Sequence, residues 1–180
     1  SGISKCWYSL NNGDNQTLSS CANTTITALE GTNSVMVYAN DTFGNPSSAI
    51  RHFSVDTEAP VVTIQIPANG TYGTTSISLS YTAIDNNLAN CWYSLNGGAD
   101  QTLPSCANTS ITASSGANSV RVYANDTFGN PSSAIQYFSV DLSVPSVAIQ
   151  SPTNSSYLTT LISLNYTATD SNGISQCWYS

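Results

Sequence analysis

The sequence predicts an all-β fold, on three observations. Apolar and polar residues alternate with period two in short runs, as in Ser76 to Ala83, SISLSYTA. Clusters of Gly, Pro, Asn and Asp punctuate those runs at roughly ten-residue intervals. No stretch carries the i, i+3, i+4, i+7 apolar spacing of a helix.

The chain is also internally repeated. Cys-Trp-Tyr-Ser stands at Cys6–Ser9, Cys91–Ser94 and Cys177–Ser180, at steps of 91 − 6 = 85 and 177 − 91 = 86 residues. The run from Ala39 to Ile50, ANDTFGNPSSAI, recurs letter for letter from Ala124 to Ile135. Such a period is too long for a solenoid unit and suits one small β-domain. Residues 1–56 then form the later part of a repeat, 57–141 a complete repeat, and 142–180 the early part of the next.

Taken in order, the complete repeat gives about seven short strands. Pro60 favours an extended start. Val61 to Ile66 is β-branched, with Thr63 and Gln65 outward. Pro67-Ala68-Asn69-Gly70 is a turn. In Ser76 to Ala83, Ile77, Leu79, Tyr81 and Ala83 face inward. A turn at Asp85-Asn86-Asn87 leads to the Cys91 strand. Asn96-Gly97-Gly98 reads as a hairpin turn, and the strand carrying Leu103 brings Cys106 back across. Ile111 to Ala113 is a brief strand. Val120, Val122 and Ala124 alternate with Arg121 and Tyr123. The Asp126–Pro131 turn leads to a closing strand with Phe138 and Val140 inward. Trp7, Trp92 and Trp178 are expected at the centre of the cores, as the largest apolar side chains of their repeats. Seven such strands predict tandem immunoglobulin-like β-sandwich repeats of about 85 residues; a small β-barrel is the alternative.

Composition narrows the function. Only 7% of residues are charged, and the net charge is −7. That balance argues against nucleic acid and anionic membrane surfaces as partners. No apolar run is long enough to span a bilayer. Solubility must come from Ser, Thr and Asn, or from groups attached to them.

The cysteines follow the period. Cys6 and Cys21 are 15 apart, and so are Cys91 and Cys106, which predicts two disulfides, each inside one repeat. Buried free thiols are the alternative. For zinc there is no second close Cys pair or histidine. Closing a loop of that length stabilises by about 3 kcal/mol in the chain-entropy model, a large share for a small domain. Disulfides point to an oxidising compartment, or to a hyperthermophile interior.

Asn-x-Ser/Thr sequons occur at Asn15, Asn23, Asn40, Asn69, Asn108, Asn125, Asn154 and Asn165. They are candidate N-glycosylation sites; the other reading is that they are turn residues. Asn69, Asn108 and Asn154, near turns, are the best placed. Acids recur too: Asp41 with Asp126, Asp56 with Asp141, Asp85 with Asp170. They suit turn formation better than calcium, because no dense Asp-x-Asp run gathers oxygen ligands. No catalytic set, cofactor or metal site is expected. The one histidine, His52, is matched by Tyr137, so a Ser-His-Asp triad has no repeated material, and no phosphate-binding or dinucleotide glycine motif occurs.

Taken together, Asp-x-x-x-Pro, a β-branched strand, Asn69-Gly70-Thr71-Tyr72, Cys-Trp-Tyr-Ser-Leu-Asn and Val-Tyr-Ala-Asn-Asp-Thr-x-Gly-Asn resemble the Ig-like repeats of large archaeal or bacterial cell-surface proteins. The resemblance implies an extracellular structural or adhesive role. The leading expectation is a building block of a filament or surface polymer whose partners are copies of itself, head to tail. Spacer repeats of an adhesin are the alternative. Recurring exposed apolar residues would separate the two, and Phe43 with Phe128 at a hairpin tip is the foremost candidate.

Neither outer segment could bury a core alone, and each would leave an open sheet edge. Separate subunits exchanging strands would complete them, as would one continuous polypeptide. The cysteine pairing favours the continuous chain, in which every Cys has one mate.

Overall fold

The computed structural model describes residues 2–180. Its contacts divide the chain into two compact units, Ser1–Ala59 and Pro60–Ser180. Among the described residues the structure is strand, turn and two single 3-10 turns, and no helix is long and apolar enough to cross a membrane.

The first unit is a four-stranded antiparallel sheet. It contains β1 (Ile3–Leu10), β2 (Gln16–Leu18), β3 (Gly31–Asp41) and β4 (Pro46–Val55), in the order β2-β1-β3-β4. The β3–β4 hairpin pairs Gly31 with Val55 and Asn40 with Pro46.

The second unit begins with β5 (Val61–Ile66), β6 (Thr71–Tyr72), β7 (Ser76–Ile84), β8 (Leu88–Leu95) and β9 (Gln101–Leu103). It continues with β10 (Thr109–Thr112), β11 (Gly116–Asp126), β12 (Pro131–Val140), β13 (Ser146–Ser151) and β14 (Asn165–Thr169). One sheet runs β10-β7-β5 and a second runs β6-β12-β11-β8-β9, with β13 and β14 paired separately. All pairs are antiparallel except β6 with β12. The two larger sheets contribute to one core, an arrangement compatible with a β-sandwich.

That core follows the period-two pattern. Ile77, Leu79 and Tyr81 enter from β7, Ile111 from β10, Val120, Val122 and Ala124 from β11, and Phe138 and Val140 from β12. Burying side chains of this size stabilises by about 1.5–3 kcal/mol each. Both expected disulfides are present, Cys6–Cys21 and Cys91–Cys106. Each links a buried strand position, Cys6 on β1 or Cys91 on β8, to the last residue of a 3-10 turn, Cys21 or Cys106; Cys91 faces Leu103 across β8–β9.

The tryptophans are not where the sequence reading puts them. Cys91 is buried and Tyr93 packs against the core. Alternation then sends Trp92 to the outer face of β8. There it lies opposite Tyr123 and stacks on it, with ring centroids 5.4 Å apart and planes 6° apart. Trp7 stacks on Tyr38 in the same way, at 5.4 Å and 8°. Both tryptophans are half-buried, and Trp178 is 82% exposed. The bulk of an aromatic suggests a core, but the disulfide cysteine fixes which face turns inward.

Stability measurements should follow this geometry. Leu79→Ala should cost about 2–5 kcal/mol, and Trp92→Ala clearly less, as a half-buried cross-strand pair contributes roughly 0.5–1.5 kcal/mol beyond its area. Denaturant unfolding of the two variants checks the order; a larger loss for Trp92→Ala would move the core to the outer face.

Candidate functional site

Three surface constructions are built twice in this chain, and they are its candidates for function. The first is the tip of the β3–β4 and β11–β12 hairpins. Asp126 ends β11 and is buried. Its Oδ1 accepts hydrogen bonds from the backbone N–H of Phe128 (2.9 Å) and Asn130 (2.8 Å). Its Oδ2 accepts one from Asn130 Nδ2 at 2.7 Å. Asp41 makes the same three bonds to Phe43 and Asn45, each at 2.9 Å. Gly44 and Gly129 take φ of 86° and 92°, the left-handed conformation that glycine adopts without penalty. The turn leaves its aromatic outside: Phe43 is 82% and Phe128 50% exposed.

The second construction is a buried asparagine corner at the opposite end of the same strands. Asn118 donates from Nδ2 to the carbonyls of Ser114 (2.7 Å) and Gly116 (2.9 Å). Its Oδ1 accepts from Ser114 N–H at 3.2 Å and Asn96 Nδ2 at 2.8 Å. Asn96 Oδ1 accepts in turn from Ser119 N–H at 2.8 Å. Asn33 and Asn11 repeat all five bonds with Leu29, Gly31 and Ser34. Ser9 and Ser94, the last letters of Cys-Trp-Tyr-Ser, are buried and donate to the carbonyls of Gly13 and Gly98. The asparagines of this corner went unnoticed in the sequence. The signal was there: in Asn-x-Val-x-Val-x-Ala-x-Asp the polar ends lie in phase with the apolar inward residues.

The third construction is the outer Trp–Tyr stack. In the second unit Arg121 sits over the Tyr123 ring, its guanidinium carbon 6.0 Å from the centroid. Met36 takes that place in the first unit.

The eight sequon asparagines fall into two kinds. Asn15, Asn23, Asn69, Asn154 and Asn165 are exposed. Asn108 is exposed too, but its side chain is engaged: Oδ1 accepts from Tyr81 N–H at 3.0 Å and Nδ2 donates to Ser80 Oγ at 3.4 Å. Asn40 and Asn125 lie half-buried on strands, with Oδ1 buried and without a hydrogen-bond partner. The recurring acids are held in local turns. Asp85, Asp141 and Asp170 accept from the N–H two residues on, at 2.6, 2.9 and 2.9 Å, and so does Asp56, from Glu58 at 3.1 Å. No protein-family model matches this chain, and a comparison with curated proteins finds no match.

The charge on Asp126 ties the tip to pH. Burial alone would push its carboxyl up. The Asn130 amide and the N–H groups of Asn130, Gly129 and Phe128 outweigh that and hold it below the ordinary carboxylate value. A folded value below the unfolded one means stability that is complete above about pH 4 and is lost as pH falls through the folded value. Unfolding midpoints measured from neutral pH down to about pH 2 should therefore fall on the acid side, and Asp126→Asn should flatten that fall while lowering stability at neutral pH. An unchanged acid slope in the variant would remove Asp126 from this role.

Proposed function

We propose that this chain is a structural building block of an extracellular filament or surface polymer made of tandem immunoglobulin-like domains, and not an enzyme. The observation that carries the reading is the recurrence of exposed apolar residues in register. Phe43 and Phe128 project from the same tip, and Ile50 and Ile135 from the same place on the following strand, at 39% and 37% exposure. A spacer whose only task is separation needs a polar exterior there; a polymer unit needs contacts that every repeat can make.

The strand order supports the immunoglobulin-like part. A three-stranded sheet faces a five-stranded one, and a short strand, β6, pairs parallel at the sheet edge. The two disulfides fit an oxidising environment. What recurs between the repeats is geometry that fixes turns: Asp126 on its tip, Asn118 on its corner and Cys91 on its bridge. Repeated chemistry of that kind serves uniformity of shape. Glycans then supply the hydration that 7% charge does not. They belong on Asn69 and Asn154, which are exposed and in register, ahead of Asn40, Asn125 and Asn108, whose amide groups are buried or engaged.

Two measurements on native material test this. Electron microscopy with an antibody to the chain should label thin, extended fibres or a surface layer; label confined to single particles would overturn the polymer reading. Glycopeptide mass spectra should find Asn69 and Asn154 modified and Asn40 and Asn125 bare. The reverse pattern would show that the amide environments do not govern acceptor use.

A further inference from the structure

One side of β12 is an open sheet edge inside the complete repeat. β12 pairs with β11 over ten residues, from Pro131 with Asn125 to Val140 with Gly116, and the register is unbroken. On its other side it meets β6 at Ser139 and Val140. There Ser139 N–H donates to the Gly70 carbonyl at 2.9 Å and Asp141 N–H to the Tyr72 carbonyl at 3.0 Å. Backbone groups of successive strand residues point to opposite sides, so Ser133, Ile135 and Tyr137 turn theirs the same way as Ser139. Among the described residues no strand meets those three on that side. The Tyr137 carbonyl accepts a bond from Gln136 Nε2 at 3.2 Å.

Proteins ordinarily blunt such edges with short strands, bulges or charges. The other edges of the complete repeat follow that rule. β9 has three residues and β10 four, and β5 is interrupted by a register shift between Ile64 and Ile66. β12 is long and regular, and it carries no charge in a chain of net charge −7. It shows Ile135 at 37% and Tyr137 at 62% exposure. The equivalent stretch of β4 has Arg51 and His52 where β12 has Gln136 and Tyr137.

We propose that this edge pairs with the same edge of a second copy of the chain, antiparallel about a two-fold axis at Ile135. Ser133 of each copy then meets Tyr137 of the other, and Ile135 meets Ile135. Each of these pairs exchanges both of its backbone bonds, once the Gln136 amide gives up the Tyr137 carbonyl. Sheet extension of this kind takes its affinity from the main chain. The axis is fixed from both ends. One step along sets Ser133 against Ser139, whose N–H is already given to Gly70. One step back sets Tyr137 against Pro131, which has no N–H. Pro131 and Ser139 stand equally far from Ile135, at 135 − 131 = 4 and 139 − 135 = 4 residues. The open stretch is thus symmetric about its own centre, as an isologous contact between two copies requires. On the outer face the small Ser133 leaves room beside Tyr137, and Ile135 packs on its copy, cross-strand pairs that stabilise a sheet. No like charge on this strand opposes the approach of two acidic chains. The contact runs side by side and does not rest on the polymer reading.

Sedimentation velocity and amide hydrogen exchange on the full 180-residue chain test the contact. It is small beside a permanent interface, so the concentration series runs to about 1 mM. A dimer should form, and in it the N–H groups of Ser133, Ile135 and Tyr137 should exchange more than about tenfold more slowly than in dilute chain. Those of Ala134 and Gln136, turned toward β11, should be slow at both ends of the series. Ile135→Pro removes an open-edge N–H and no bond to β11, and Ile135→Lys sets two like charges face to face. Each should weaken the dimer more than about tenfold. Unfolding midpoints check that the variants fold, and Ile135→Lys, which leaves the main chain unaltered, carries the test alone if the proline does not. A chain that stays monomeric throughout would overturn the contact. So would a dimer whose three edge amides exchange as fast as in dilute chain, or an Ile135→Lys variant that dimerises like the wild type.

Discussion

The register of β11 is the constraint on which the complete repeat depends. Its inward residues are Asn118, Val120, Val122, Ala124 and Asp126, and all five are buried. The three apolar ones close the core, and the two polar ones stand at its ends, each satisfied by its own turn. A slip of one residue would bury Arg121, Tyr123 and Asn125 and strip both polar ends of their partners. The apolar residues alone would tolerate a slip of two. Asn118 and Asp126 would not, because a buried polar group without a hydrogen bond costs about 1–3 kcal/mol. Local hydrogen bonds thus specify what the hydrophobic effect alone leaves degenerate.

This division of labour explains what was legible in the sequence. The strands were, because alternation in Ser76–Ala83 and Val120–Ala124 reflects burial on one face. The disulfides were, because a spacing of 15 residues recurs and turns a composition into a pairing. The place of Trp92 was not. Periodicity states which residues share a face, and only the facing sheet states which face is inside. Cys91 settles it: a bridge to Cys106 across β9 takes the inner side and leaves the tryptophan to stack on Tyr123. The asparagine corner escaped notice for a related reason. Asn118 looks like an ordinary turn residue until the positions of Asn96 and Ser114 show that two turns meet on it. The sequons were visible as motifs, but whether an amide is free depends on neighbours distant in sequence, as Asn108 and Tyr81 are.

The outer face has its own logic in a chain with so few charges. A sheet of Ser, Thr and Asn is hydrated but has little to hold neighbouring strands in line through side chains. The Trp92–Tyr123 and Trp7–Tyr38 stacks supply that alignment across β8–β11 and β1–β3. They place large apolar area on the solvent side without opening a continuous patch, since Asn90 and Asn125 follow on the same face. The core stays small, built mainly of valines, leucines, isoleucines and alanines with Tyr81 and Phe138, and the disulfide limits the freedom of the unfolded hairpin.

Comparing the two units separates what a sheet needs from what a core needs. β3 keeps every local feature of β11: the corner at Asn33, the tip at Asp41, the stack at Tyr38, the bridge at Cys6. Its pairings with β1 and β4 match those of β11 with β8 and β12 residue for residue through the shared stretch. Only burial differs, as Val37 is open where Val122 is sealed. The two units thus share strand pairings and turn hydrogen bonds while differing in how far the apolar face is covered, so the local bonds of Asn33 and Asp41 are met without reference to what lies over Val37. In the second unit β5, β7 and β10 add apolar area to that face, and the register it presents is the one already fixed by the bonds of Asn118 and Asp126.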